Sequence, residues 1–153
     1  MIKEYYNYGQ FSDIAYYGGL DDKMNLVDSP EDVSKTGFLA FASAMWTYMT
    51  PVSPKPSMHE ITTGFFKPNT YDTDVGISAD FGATINVISD GSECNSGTTI
   101  SDASKARAEF YSNFCELLSV TATATACNNM QAFSTQSASY FPNYWFEKGS
   151  AEN

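Results

Sequence analysis

The chain has 153 residues, 18 of them Asp or Glu against 8 Lys or Arg, for a formal net charge of −10, with 42% hydrophobic and 15% aromatic residues. That length suits one domain, able to bury roughly 68–70% of its unfolded surface. The charge repels phosphate backbones and anionic lipid, excluding nucleic acid and membrane as partners. No apolar run reaches the roughly 20 residues of a spanning helix, whereas a neutral polymer such as a polysaccharide meets no barrier.

In chain order, residues 1–12 are aromatic and polar without a clear period. Tyr16-Tyr17-Gly18-Gly19 and Asp21-Asp22 read as a loop with turn chemistry. At Ser29-Pro30-Glu31-Asp32 a helix is expected to start, with Ser29 as cap, Pro30 in the first turn and the acids at the positive dipole end. The strongest helical pattern runs from Thr36 to Met49. Phe38, Leu39, Phe41, Ala42, Met45, Trp46 and Met49 recur at three- and four-residue steps, a stripe wide enough to predict a helix central to the core. Pro51, Pro54 and Pro56 stop it.

Ser57 to Gly64 predicts a short helix, and residues 65–77 a loop. Asp80 to Asp90 predicts a second apolar helix ending at Gly91, although Thr84, Ile85, Val87 and Ile88 are β-branched and leave a strand open. After the loop from Cys94 to Thr99, Ser101 or Asp102 caps a helix over Ala103 to Leu118. Its Ala106, Phe110, Phe114, Leu117 and Leu118 form one face. Polar connections follow at Thr121–Thr125 and Ser134–Ser139, and the aromatic run from Tyr140 to Phe146 is expected to pin the tail to the surface.

Three cysteines, Cys94, Cys115 and Cys127, match no zinc spacing. An odd count suits one bridge and one free thiol, or three thiols in a reducing compartment. Met1-Ile2-Lys3-Glu4 lacks the apolar stretch of a signal peptide. His59-Glu60-Ile61-Thr62-Thr63 is not a zinc-protease helix, because no second histidine stands four residues on.

Several separated stretches together resemble the glycoside hydrolase family 19 chitinases. They are Tyr5-Tyr6-Asn7-Tyr8-Gly9-Gln10-Phe11-Ser12, Ala44-Met45-Trp46-Thr47-Tyr48-Met49-Thr50-Pro51, Pro54-Lys55-Pro56-Ser57-Met58-His59, Phe81-Gly82-Ala83-Thr84-Ile85-Asn86-Val87-Ile88 and Glu93-Cys94. They occur in the family's order and cover nearly the whole chain. The resemblance implies a mainly α fold, residues 1–153 forming an incomplete, C-terminal portion of a lysozyme-like catalytic domain, the larger lobe. It also implies exposed apolar surface where the other lobe would pack.

The activity so implied is endo-hydrolysis of β-1,4-linked N-acetylglucosamine in chitin, with inversion and without cofactor or metal, by a secreted monomer. Inversion needs an acid and a base roughly 6.5–9.5 Å apart. The family's two catalytic glutamates lie upstream of the Tyr-Asn-Tyr-Gly segment and are expected before Met1. No catalytic residue is therefore assigned here, and this chain by itself is expected to be inactive. Glu60, whose surroundings mimic the segment of the general acid, matches a different, non-catalytic stretch. Alternatives are a non-catalytic chitin-binding half-enzyme and an incomplete copy of a longer enzyme.

Carried over residue by residue, Asn7 matches an asparagine that binds sugar and helps place water, Tyr6 a tyrosine lining the cleft and Lys55 a lysine on its wall. Glu93 and Arg107 match a buried pair that supports the catalytic acid. Cys94 and Cys127 match a family disulfide, and Cys115 a free buried cysteine. Three departures stand out. Ser89 stands in the place of a sugar-binding asparagine and is carried over as a substrate-binding residue of shorter reach, Lys3 falls where many members hold water with a serine, and Met58 replaces a cysteine.

Overall fold

A computed structural model describes residues 5–17, 25–97 and 100–139, with the backbone alone for 5–7 and 16–17. Among these the fold is mainly α. Six helices appear: α1 (Tyr5–Tyr17), α2 (Gly37–Met49), α3 (Met58–Thr62), α4 (Thr70–Asp74), α5 (Phe81–Ser89) and α6 (Asp102–Leu117). A 3-10 turn covers Pro30–Ser34. The only extended pairing among the described residues is an isolated bridge between Val52 and Lys55. Lys3 and the Tyr140–Phe146 run lie outside the described residues, as does the loop of Gly18 to Asp22.

The chain divides into two compact units, 1–50 and 51–153. The first contains α1, the 3-10 turn and α2. The aperiodic N-terminal stretch is helical, contrary to the sequence reading, and Tyr16 and Tyr17 belong to that helix rather than to a loop. One long-range anchor explains why periodicity missed it. Phe11 is 2% exposed and packs with fully buried Leu26, while its ring lies 6.0 Å from that of Trp46. The Ser12 hydroxyl donates to the Tyr8 carbonyl at 2.8 Å and accepts the Leu26 N–H at 2.9 Å, tying the helix to the following segment. Ser29 stands at the N-cap of the 3-10 turn, but its side chain makes no cap bond.

Thr36 caps α2, accepting the Leu39 N–H at 3.2 Å. The helix spans the predicted residues but is not central to a core. Only Leu39 and Ser43 are buried, whereas Phe38, Phe41, Met45 and Met49 stand exposed. Apolar periodicity predicts burial of the whole stripe, yet only its Leu39 edge, with Ala42 and Trp46 behind it, meets partners within the unit.

The second unit has its own core of Ile61, Phe66, Ile77, Ala83, Ile85, Met130 and Phe133, closed by a Cys94–Cys127 disulfide. Phe66 and Phe133 meet edge-on at 5.7 Å. Helix α5 lies at its centre, packed against α3 and α6, and the strand alternative for this segment does not hold. Asp80 caps α5 through the Ala83 N–H. Within the expected 65–77 loop sits α4, held by a reciprocal cap. Asn69 accepts from the Asp72 N–H and Asp72 from the Asn69 N–H.

The 121–133 connection is a strap laced along α5. Thr123 Oγ1 accepts the Phe81 N–H, the Ala124 carbonyl accepts from Gly82, and Asn86 Nδ2 donates to the Gln131 carbonyl at 2.7 Å. Gly82 is required there, because a Cβ would sit 2.4 Å from the Ala126 carbonyl oxygen.

Ser101, not Asp102, caps α6. The rotation of α6 differs from the expected one. Phe110, Phe114, Leu117 and Leu118 are exposed, and the helix turns Ser104, Arg107, Tyr111 and Cys115 inward. Specific contacts on that polar side set the rotation: Tyr111 stacks on Phe81 with ring centroids 3.9 Å apart, and its hydroxyl accepts the Thr123 N–H. No described helix is long and apolar enough to cross a membrane.

Candidate functional site

The second unit gathers its candidate residues at the C-terminal end of α5. Ser89 is the last helical residue, and Asp90 caps the helix in a left-handed conformation with φ 53° and ψ 36°. Gly91 follows with φ 76°, where a Cβ would meet Ala132 at 2.7 Å. These two residues turn the chain so that Glu93 and Cys94 return beside α6. The Ser92 hydroxyl donates to the Ser89 carbonyl at 2.6 Å and reinforces the turn. The Ser89 side chain is buried, and its hydroxyl accepts the Glu93 N–H at 3.4 Å.

Glu93 is gripped by Arg107 in a fork. Arg107 Nε donates to one carboxylate oxygen at 3.0 Å and Nη2 to the other at 3.1 Å. The side chains are 20% and 41% exposed respectively, so the pair is shielded without being sealed. Arg107 is held above its ordinary pKa chiefly by the hydrogen bond to Glu93; desolvation opposes this and the Coulombic attraction adds to it. The Ser104 hydroxyl donates to the Glu93 carbonyl at 3.1 Å, and the Cys94–Cys127 bridge follows directly, with Cα atoms 5.0 Å apart. Backbone, side chain and disulfide together fix Glu93, while Cys115 is free and buried.

Lys55 arrives from the tight turn after α2. Its N–H donates to the Val52 carbonyl at 2.8 Å, closing a turn that contains the cis Ser53–Pro54 bond. Its ammonium forms an ion pair and hydrogen bond with the Asp90 carboxylate. Thus Lys55, Ser89, Glu93, Arg107, Cys94 and Cys127 all attach to the α5 exit. Tyr6 and Asn7 lie on α1 in the first unit, and their side chains are outside the described residues. Sequence reading missed Asp90. The available signal was a carboxylate at a helix C-terminus, where the dipole disfavours a negative charge.

Other acids have structural tasks. Glu60 closes a reciprocal cap on α3, its carboxylate accepting from the Ser57 N–H at 2.7 Å and the Ser57 hydroxyl at 2.8 Å. Asp72 is fully buried, and one of its oxygens accepts from the Asn69 and Ala138 N–H groups, both at 3.0 Å. Among the described residues, no group of three or more His, Cys, Asp or Glu is placed to hold a metal. The α5 exit offers fixed donors and acceptors to a neutral polar ligand, but no carboxylate there stands apart from a partner.

A family model described as "Chitinase class I" matches residues 2–129. A basic endochitinase of Vitis vinifera is 35% identical over 136 residues, 87% of this chain and 40% of its own length. An acidic endochitinase of Populus trichocarpa is 36% identical over 116 residues, 76% of this chain and 36% of its own. An "inactive chitinase-like protein 1" of Hevea brasiliensis is 34% identical over 117 residues, 75% of this chain and 34% of its own. The chain therefore spans well under half the length of these relatives.

Proposed function

Because this chain belongs to glycoside hydrolase family 19, the class I chitinases, we propose that it forms part of a cleft for chitin. In the whole protein that cleft serves endo-hydrolysis of β-1,4-linked N-acetylglucosamine with inversion; the 153 residues by themselves bind the polymer without cutting it. In the second unit Lys55 contacts sugar; in the first, Tyr6 and Asn7 are the residues proposed to do so. Glu93 and Arg107 position charge for a catalytic carboxyl, and Ser89 holds the turn that presents Glu93. The observation that carries this reading is the Glu93–Arg107 fork. A carboxylate so occupied can tune a neighbouring acid by electrostatics but is poorly placed to give or take a proton itself.

The substrate is neutral, which suits an acidic chain that anionic polymers would avoid. The Cys94–Cys127 disulfide supports an oxidising, extracellular setting, and the protein acts there as a secreted monomer. The test is titration calorimetry of the 153-residue chain with the N-acetylglucosamine hexamer, beside a reducing-end assay on soluble chitin. Binding without new reducing ends, weakened about tenfold by Lys55→Ala, is the expected result. Absence of any binding would overturn the glycan-binding reading, and turnover by the chain would overturn its inactivity.

A further inference from the structure

Two local rules disfavour an aspartate at position 90. Its backbone is left-handed, a conformation that non-glycine residues adopt uncommonly, though Asp and Asn more readily than most. It also places a negative charge at the end of α5, where the helix dipole is already negative. The ion pair with Lys55, across 35 residues, offsets that charge. The backbone of Lys55 is held in the Val52–Lys55 bridge, between Pro54 and Pro56.

The exposures of the partners differ in a useful way. The Lys55 side chain is 21% exposed and that of Asp90 50%. The pair therefore presents a fixed donor behind a solvent-facing acceptor, with no net charge between them. An isolated Lys55 would repel any cationic ligand. The neutralised pair does not, and the chain's overall charge of −10 attracts one at long range.

We propose that Asp90 is a specificity-determining residue of the sugar site, neutralising Lys55 so that the site accepts a deacetylated, cationic glucosamine unit as well as the neutral N-acetylated one. This rests on the reading of Lys55 as a sugar contact. Asp90→Asn keeps the shape and tolerates the left-handed backbone, while Asp90→Gly relieves that backbone and serves as the second variant.

The experiment is calorimetric titration of the wild-type chain and both variants with the N-acetylglucosamine tetramer and the glucosamine tetramer, at low and high salt. For the variants, affinity for the glucosamine tetramer should fall about tenfold relative to that for the N-acetylglucosamine tetramer, through one uncompensated positive charge. The effect should shrink at high salt and vanish when Lys55→Met is added. A merely structural role would move both tetramers together. An unchanged ratio overturns the assignment to Asp90 while leaving the glycan-binding reading intact. Failure of the wild type to bind either tetramer overturns both.

Discussion

Arg107 and Glu93 meet fork to fork across 14 residues, each carboxylate oxygen taking one guanidinium N–H. This contact joins α6 to the turn that leaves α5. Arg107→Lys keeps the charge but loses the planar fork. Because the pair is partly solvated, the expected loss is about 1 kcal/mol, with a fall of roughly 2–4 °C in Tm. The raised pKa of Arg107 gives a contribution that is complete below its ordinary value and lost only as pH rises through the higher folded value. Arginine deprotonation therefore leaves the effect of the substitution constant between about pH 6 and 9, and thermal melts across that window check it.

Reduction of Cys94–Cys127 opens a link of sequence separation 33. The chain-entropy model puts the resulting loss near 3–4 kcal/mol. Denaturant titration of the Cys94→Ser/Cys127→Ser double variant reads this loss directly. Thiol titration of the unfolded, unreduced chain should return one free sulfhydryl, that of Cys115.

Gly82→Ala sets two effects against each other. Alanine improves intrinsic helix propensity by about 1 kcal/mol. Its Cβ, however, would lie 2.4 Å from the Ala126 carbonyl oxygen and 3.0 Å from its carbon, both backbone atoms in the strap. Overpacking against backbone costs typically 1–3 kcal/mol, so net destabilisation of up to about 2 kcal/mol is expected in denaturant melts.

The rotation of α6 is open to a paired test. A Phe110→Ser/Phe114→Ser variant changes only the exposed stripe and should stay within about 0.5 kcal/mol of the parent. Tyr111→Ala removes the stack on Phe81 and the bond to Thr123, and should cost about 2–3 kcal/mol. The opposite ranking would mean that α6 turns its apolar stripe inward.

Asp72→Ala removes the acceptor shared by the Asn69 and Ala138 N–H groups. A loss of about 1–2 kcal/mol is expected, because both donors are part-buried and recover some hydration once unpaired. Limited proteolysis should show earlier cleavage within 134–139, since Ala138 then loses its bond to α4.

Helix ends were legible wherever their chemistry is local. Thr36, Ser57, Asp80 and Ser101 each accept an N–H three residues on, and such bonds are written into a short window of residue types. Asn69 and Asp72 form the same kind of cap, but α4 has five residues and no apolar period, so it read as loop. The N-terminal helix was illegible for the converse reason. Its anchors are Leu26 and Trp46, reached only once the chain has folded back. Of the candidate site, Lys55, Ser89, Glu93 and Arg107 were found through family resemblance, whereas Asp90 was not, because its partner lies 35 residues away.

The amino-acid sequence by itself determined the family, the mainly α class, the limits of α2, α5 and α6 to within a residue or so, and the net charge of −10. Only the tertiary structure decided which face each helix turns inward. Apolar periodicity marks a stripe without saying what meets it. On α6 the stack of Tyr111 on Phe81 and the grip of Arg107 on Glu93 won over the stripe of Phe110, Phe114 and Leu117. Those contacts are directional and join distant segments, so they exist only when the chain closes its loops, and no local window of sequence contains both partners.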